Sequence, residues 1–412
     1  MDAADERFMK EALELAERGV GAVEPNPAVG CVIVRDGRII GRGWHKAYGG
    51  PHAEIEALAD CRRRGIDPAG ATVYVTLEPC CHYGKTGPCD DALIAARVAR
   101  GVVAMQDPAG HCDGGGMAKL RAAGIVVEPG CCERQARLLN AWFITWHRQG
   151  RTWVILKWAQ SIDGYLAHRG EPPPRWISNA LSREDSHRLR RRVQAILVGI
   201  TTVLADDPLL TARPPRDEAA DSCTGRPVVS EANGIPVPRK GETPSPRERP
   251  AMRVVLDSNL RIPLGCRLVR TAGQGPVLVF ARQGVVAQKA DVVRRLSDAG
   301  VEVVSCPQAE GPCDPAFVLD ELTRRQVCQL MVEGGPTVLR AFYDRGLADE
   351  FCVYVAPVRL GAAGAAAIGD ELMRAVDGQG LYEVHRRPFA DDVRVTGLTQ
   401  RAIQALELNT VA

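Results

Sequence analysis

Three things are scarce in this chain. Aromatic residues make up 5% of its 412 positions, long apolar runs are missing, and charge of neither sign is in real excess, with 52 Lys and Arg against 50 Asp and Glu. Few aromatics means no stacking platform for single-stranded nucleic acid. A formal net charge of +2 means no basic stripe to track a phosphate backbone. Nucleic acid is therefore not the expected partner, whereas a small phosphorylated substrate held by two or three basic side chains stays open. No window reaches about 18 uninterrupted apolar residues, so no membrane span is expected. The start, Met1-Asp2-Ala3-Ala4-Asp5-Glu6-Arg7, is acidic where a secretory signal needs positive charge. The expected setting is the cytoplasm, and there the 14 cysteines read as thiols or metal ligands, not as a disulfide framework.

What is present fits a soluble globular protein of two domains: 45% hydrophobic and 25% charged residues over a length too great for one ordinary core. Phe8, Met9, Ala12, Leu13, Leu15 and Ala16 share one face of a helix over 5–18. A strand over 28–35, the turn Asp36-Gly37 and a returning strand over 38–44 predict a hairpin. Helices and strands then alternate to about residue 128, which predicts a layered α/β domain over 1–150 with a largely parallel sheet after the hairpin. A helical stretch over 133–148 reads as the bridge out of it. A second α/β domain, 151–412, opens on the strand Trp153–Lys157. The stretch from Arg213 to Met252 holds eight of the 28 prolines and predicts a surface insertion over about 214–250.

The chemistry concentrates first in His52-Ala53-Glu54, Pro79-Cys80 and Cys89. One imidazole and two thiolates suit zinc better than a hard cation. Three protein ligands leave a fourth position for water, the arrangement of a catalytic zinc; a closed structural site would need another ligand, and Cys81 is the nearest. A carboxylate at Glu54 could then shuttle protons, as in zinc deaminases. In the second domain no G-x-G-x-x-G follows the first strand, so a Rossmann dinucleotide fold is not expected. Its glycine-dependent feature is Glu333-Gly334-Gly335-Pro336-Thr337, where a strand turns into a helix start suited to an anion.

The run Pro79-Cys80-Cys81-His82-Tyr83-Gly84-Lys85-Thr86-Gly87-Pro88-Cys89, with Pro25-Asn26-Pro27-Ala28-Val29-Gly30 and the stretch Gly41 to His45, resembles the bifunctional riboflavin-biosynthesis deaminase/reductase family. So do Lys157 to Gly164, Thr201 to Arg213, Leu256-Asp257-Ser258 and the Glu333 run, in order. The resemblance implies a cytidine-deaminase-like α/β/α layered domain followed by a dihydrofolate-reductase-like α/β domain. It implies zinc on His52, Cys80 and Cys89, Glu54 as the catalytic proton shuttle, and Asn26, His45, His82, Lys85 and Asp107 on the deaminase substrate. For the reductase it implies NADPH against Ala159, Trp176, Thr202, Asp206, Ser258, Gly335, Pro336, Thr337, Val338, Leu339, Arg340 and Ala341. Arg190, Leu210, Arg213 and Glu333 would hold the reductase substrate, and the chain would form a homo-oligomer, a dimer or larger. The implied reaction is deamination of 2,5-diamino-6-ribosylamino-4(3H)-pyrimidinone 5′-phosphate, then reduction of its ribosyl to a ribityl chain.

Two departures stand out. The family's Asp-Pro-Asn-Pro reads Asp107-Pro108-Ala109-Gly110 here, so an amide is lost unless a residue such as His111 replaces it. Before Trp176 a Gly-Glu-Ser pattern is replaced by Gly170-Glu171-Pro172-Pro173-Pro174-Arg175, and proline removes a hydroxyl and a backbone donor. That second departure motivates the alternative of a deaminase with a degenerate reductase.

Overall fold

A computed structural model describes residues 1–82, 87–110, 112, 114–170, 176–212 and 250–408. Lys85, His111, Pro174, Arg175, Arg213 and the insertion over about 214–250 fall outside the described residues, except for Pro250. The chain divides into two compact units, Met1–Gly150 together with Ala405–Leu408, and Arg151–Gln404.

In the first unit, helix α1 (Ala3–Glu17) starts at Asp2, whose carboxylate accepts from the Ala4 and Asp5 N–H groups. The Asp5 carboxylate accepts the Asp2 N–H in turn, closing a capping box. The apolar face read from sequence is the buried one. Asp5 is itself buried and also takes Tyr74 Oη at 2.8 Å and the Arg100 guanidinium at 2.7 and 2.9 Å. One carboxylate thus ties the helix start to the sheet.

That sheet runs β2 (Arg38–Trp44), β1 (Gly30–Arg35), β3 (Thr72–Val75), β4 (Arg100–Val103), β5 (Val126–Pro129). The β1–β2 hairpin turns at Asp36-Gly37, and β3, β4 and β5 are parallel, as the alternating pattern predicts. Helix α2 (Ala53–Arg63) lies so close on β2 that a Cβ at Gly41 would sit 2.5 Å from Cys61 Sγ and 2.6 Å from the Ala57 carbonyl. Glycine there is a packing requirement. Helices α3 (Cys89–Ala95) and α4 (Gly115–Ala122) connect the parallel strands.

The stretch read as a bridge is two helices, α5 (Glu133–Leu139) and α6 (Ala141–Gln149), and both belong to the first unit. The break is at Asn140, which is fully buried and uses its side chain to bind the Ala28 N–H and carbonyl, at 2.8 and 2.9 Å. A buried amide that satisfies a buried backbone pair fixes α6 firmly against the 26–29 segment.

The second unit carries a nine-stranded sheet. Its order is β11 (Val301–Cys306), β10 (Val277–Arg282), β9 (Met252–Leu256), β8 (Ala195–Gly199), β12 (Gln329–Val332), β6 (Trp153–Ser161), β13 (Glu350–Ala356), β16 (Asp392–Leu398), β15 (Tyr382–Phe389). The strands from β11 to β13 are parallel; β16 and β15 add an antiparallel edge. A separate pair joins β7 (Tyr165–His168) to β14 (Gly364–Ala367). Parallel strands buried on both faces explain why β8 is buried throughout and reads as an apolar run.

Candidate active sites

In the first unit, His52 is the N-cap of α2, Cys80 follows β3 and Cys89 is the first residue of α3. Their ligand atoms all lie within 4.8 Å of one another. His52 Nδ1 is 3.5 Å from Cys80 Sγ and 3.3 Å from Cys89 Sγ. A tetrahedral zinc with Zn–S of about 2.3 Å and Zn–N of about 2.0 Å would set nitrogen and sulfur about 3.5 Å apart. The residues therefore fit the metal. The Cys80 thiol is held well below its ordinary range by the donors Cys89 and His52, which suits a thiolate ligand. Cys89 is pushed the opposite way, by the Cys80 sulfur and by burial.

Glu54, in the first turn of α2, is 3% exposed, and burial pushes its carboxyl up to about 7. It lines a cavity of about 340 Å³ together with His52 and Cys80. Asn26, His45, His82 and Asp107 line the same cavity, so four of the five residues expected on the substrate are brought together; Lys85 is outside the described residues. His45 Nδ1 lies 3.0 Å from the Pro51 carbonyl and must donate to it, so Nε2 accepts from Asn26 Nδ2 at 3.3 Å. Burial lowers the His45 pKa and favours this neutral form. His82 is exposed, with Nδ1 3.4 Å from Cys112 Sγ. Ala109 is buried; its N–H donates to Asp107 Oδ1 at 2.9 Å and its carbonyl accepts the Cys112 N–H at 2.9 Å.

The cavity also holds residues to which sequence reasoning assigned no role: Tyr48, Glu78, Phe143 and His147. Glu78 is 3% exposed, and its carboxylate accepts the N–H groups of Asp107, Gly114 and Met117 at 3.2, 3.0 and 3.0 Å. It caps α4 and ties the loop carrying Asp107 to the strand end carrying Cys80. The only signal in sequence was its place beside Pro79-Cys80. Glu78→Ala would strand two buried donors and a half-buried one, and a loss of about 3 kcal/mol is expected in urea denaturation; a change under about 1 kcal/mol would contradict this account.

In the second unit, the expected cofactor residues gather beyond the C-terminal ends of neighbouring parallel strands. Ser258 follows β9, Thr202 and Asp206 lie on the helix Ile200–Asp206 after β8, and Gly335 to Ala341 open the helix Pro336–Tyr343 after β12. Open α/β sheets bind ligands at this edge. Ser258 Oγ accepts the Cys313 N–H at 2.8 Å. Ala159 lies within β6, and Trp176 is 76% exposed with the Arg183 guanidinium 5.5 Å from its ring centre. Two side chains of the helix are spent on packing: Leu339 is fully buried in the core, and Val338 lies where a Cβ on Gly199 or Gly334 would strike it. Arg340 turns outward to Glu371 and Asp344, at 3.4 and 3.8 Å. At these three positions the side chains cover the core or meet solvent, because a short helix lying on a sheet has one side facing each.

Of the residues expected on the reductase substrate, Arg190 and Glu333 meet each other. Arg190 Nε and Nη2 reach Glu333 Oε2 at 3.1 and 2.5 Å, and Lys157 Nζ on β6 approaches Oε1 at 3.4 Å. Burial would raise the Glu333 pKa, but Arg190 and then Lys157 hold it down at about 2. Arg190 also donates to the Thr211 carbonyl, and the buried Thr211 Oγ1 has no partner among the described residues. An orphaned hydroxyl beside a charged triad fits a polar ligand. Leu210 is buried with φ at 51°, a left-handed backbone that a branched side chain adopts only under strain. Arg213 is outside the described residues.

Comparison with known proteins accounts for both units. The family model for the cytidine and deoxycytidylate deaminase zinc-binding region matches residues 2–105, and that for the RibD C-terminal domain matches residues 152–394. The chain is 39% identical over 360 residues to riboflavin biosynthesis protein RibD of Escherichia coli (strain K12), covering 87% of this chain and 89% of that protein. It is 37% identical over 373 residues to its namesake in Aquifex aeolicus (strain VF5), covering 90% and 92%. Among solved structures, Acinetobacter baumannii RibD (form 1) superposes with a TM-score of 0.72 at 33% identity, over 96% of this chain and 98% of that one. A Thermotoga maritima diaminohydroxyphosphoribosylaminopyrimidine deaminase/5-amino-6-(5-phosphoribosylamino)uracil reductase gives 0.72 at 31%, over 96% and 99%. With a zinc-binding deaminase unit and a reductase unit both in place, the chain belongs to the RibD family of bifunctional riboflavin-biosynthesis enzymes.

Proposed function

We propose that this chain carries out two consecutive reactions on one phosphorylated pyrimidine. The first unit removes the 2-amino group of 2,5-diamino-6-ribosylamino-4(3H)-pyrimidinone 5′-phosphate by hydrolysis, and the second uses NADPH to reduce the ribosyl to a ribityl chain. The observation that carries the reading is the convergence of His52, Cys80 and Cys89 on one point, with buried Glu54 in the same cavity.

Bound zinc on those three ligands would supply the Lewis acid that brings the pKa of water to about 7. Glu54 takes a proton from the attacking water and passes it to the ring nitrogen as the C2–O bond forms. It then carries the second proton of that water to the amine as the C2–N bond breaks. Water and substrate become the oxo product and ammonia. Asn26, with its amide N–H₂ engaged by His45, has its carbonyl oxygen to offer the substrate's amino edge. In the second unit Arg190, Lys157 and Glu333 orient a substrate whose opened C1′ imine receives the hydride, and positioning supplies much of the rate. The reading includes a homo-oligomer in the cytoplasm; light scattering tests the first part. Among the described residues thirteen cysteines stand outside any disulfide, and no helix is long and apolar enough to cross a membrane.

The test follows ammonia release and loss of the reduced-nicotinamide absorbance together, in zinc-replete protein given the diaminopyrimidine and NADPH. Ammonia followed by NADPH oxidation is expected. Ammonia without oxidation would remove the reductase half of the proposal, and no ammonia would remove the deaminase half.

A further inference from the structure

The deaminase cavity has a closed end and a mouth. Glu54 is 3% exposed and the Cys89 sulfur is buried, whereas His82 and His147, on the same cavity, are exposed. A pyrimidine must bring C2 to the buried end to react. Its phosphate-bearing arm is attached at C6, one ring nitrogen away from C2, and ends at the mouth, where a dianion keeps most of its hydration and meets whatever donors the rim presents.

Helix α6 presents one such donor. His147 and Phe143 stand four residues apart on one face of α6, with ring centres 4.4 Å apart, and both line the cavity. Phe143 is 5% exposed and gives the imidazole a fixed wall. The buried Asn140 at the start of α6 locks the helix to Ala28, two residues from Asn26, so the His147 side chain is carried on a rigid element.

Resting on the deaminase reading above, we infer that His147 is a substrate-binding residue of the first unit, donating to the phosphate-bearing arm of the pyrimidine at the cavity mouth. It acts on binding, not on the proton transfers at C2.

The experiment measures ammonia release from the phosphorylated substrate and from its dephosphorylated nucleoside with wild type, His147→Ala and His147→Lys. His147→Ala should lower kcat/KM on the phosphorylated substrate about tenfold, through KM, as expected for one charge-assisted hydrogen bond. The nucleoside should lose less than about twofold, and His147→Lys should recover most of the loss. Equal losses on both substrates, or no loss on either, would overturn the inference while leaving the deaminase reading intact. No ammonia from wild type would overturn both. His147 is exposed, so folding of the variants is not at stake.

Discussion

Glu54→Gln is expected to slow ammonia release about a thousandfold. Glutamine keeps the shape of the side chain but cannot accept and return a proton, and general acid–base catalysis is worth about 10² to 10⁴ in rate. Because Glu54 is not one of the three clustered ligand residues, zinc content should stay at one ion per chain. Reduction of supplied deaminated product by NADPH should persist, since the substituted residue lies in the other compact unit. Chelation should have the same selectivity, stopping ammonia release while reduction of supplied product continues. Ammonia release within tenfold of wild type in Glu54→Gln would show that another group moves the proton, and the role of Glu54 as proton shuttle would fall.

Glu333→Ala is the second large effect. The Glu333 side chain is 9% exposed and sits between Arg190 and Lys157, so its removal leaves two cations close together without their counter-charge. Breaking one side of a buried pair typically costs about 3 to 5 kcal/mol, and reduction of supplied product should fall by at least about a hundredfold while ammonia release continues. The pH dependence has a definite sign. A carboxyl held at about 2 in the folded chain, against an ordinary 4.5, adds stability that is present above 4.5 and drains away as pH falls towards 2. The amount near neutral pH is about 3 kcal/mol. Urea midpoints measured from pH 7 down to 3 should therefore drop more steeply for wild type than for Glu333→Ala. Parallel curves would mean that the triad does not hold Glu333 ionised.

Much of the first unit was legible because its signals are local. The six apolar positions of α1 recur at helical spacing and are the ones buried, and Asp36-Gly37 can hardly be anything but a tight turn. His52, Cys80 and Cys89 were legible as candidate ligands from their residue types together with the family resemblance of the Pro79–Cys89 run, because few other side chains bind zinc. The stretch after Glu333 was harder. Strand β15 carries His385, Arg386 and Arg387 on the exposed antiparallel edge of the sheet, so it lacks the apolar run that betrays a buried strand. The break inside the helical stretch 133–148 was hidden for a related reason. A helical period does not reveal that one asparagine in its middle will be buried and spent on the backbone of Ala28.

The candidate reacting groups were set by sequence alone: which residue types could bind a metal, where a carboxylate fit to shuttle protons stood relative to them, and that two α/β units were needed to carry two sets of motifs. What those groups are paired with was decided by the tertiary fold. Glu78 became the acceptor for three loop N–H groups, Glu333 was claimed by Arg190 and Lys157, and α6 brought Phe143 and His147 to the deaminase cavity. The reason is range. Ligand identity is a property of single side chains, whereas charge compensation and cavity walls depend on partners tens to more than a hundred residues away, and folding must bring these together before they can act.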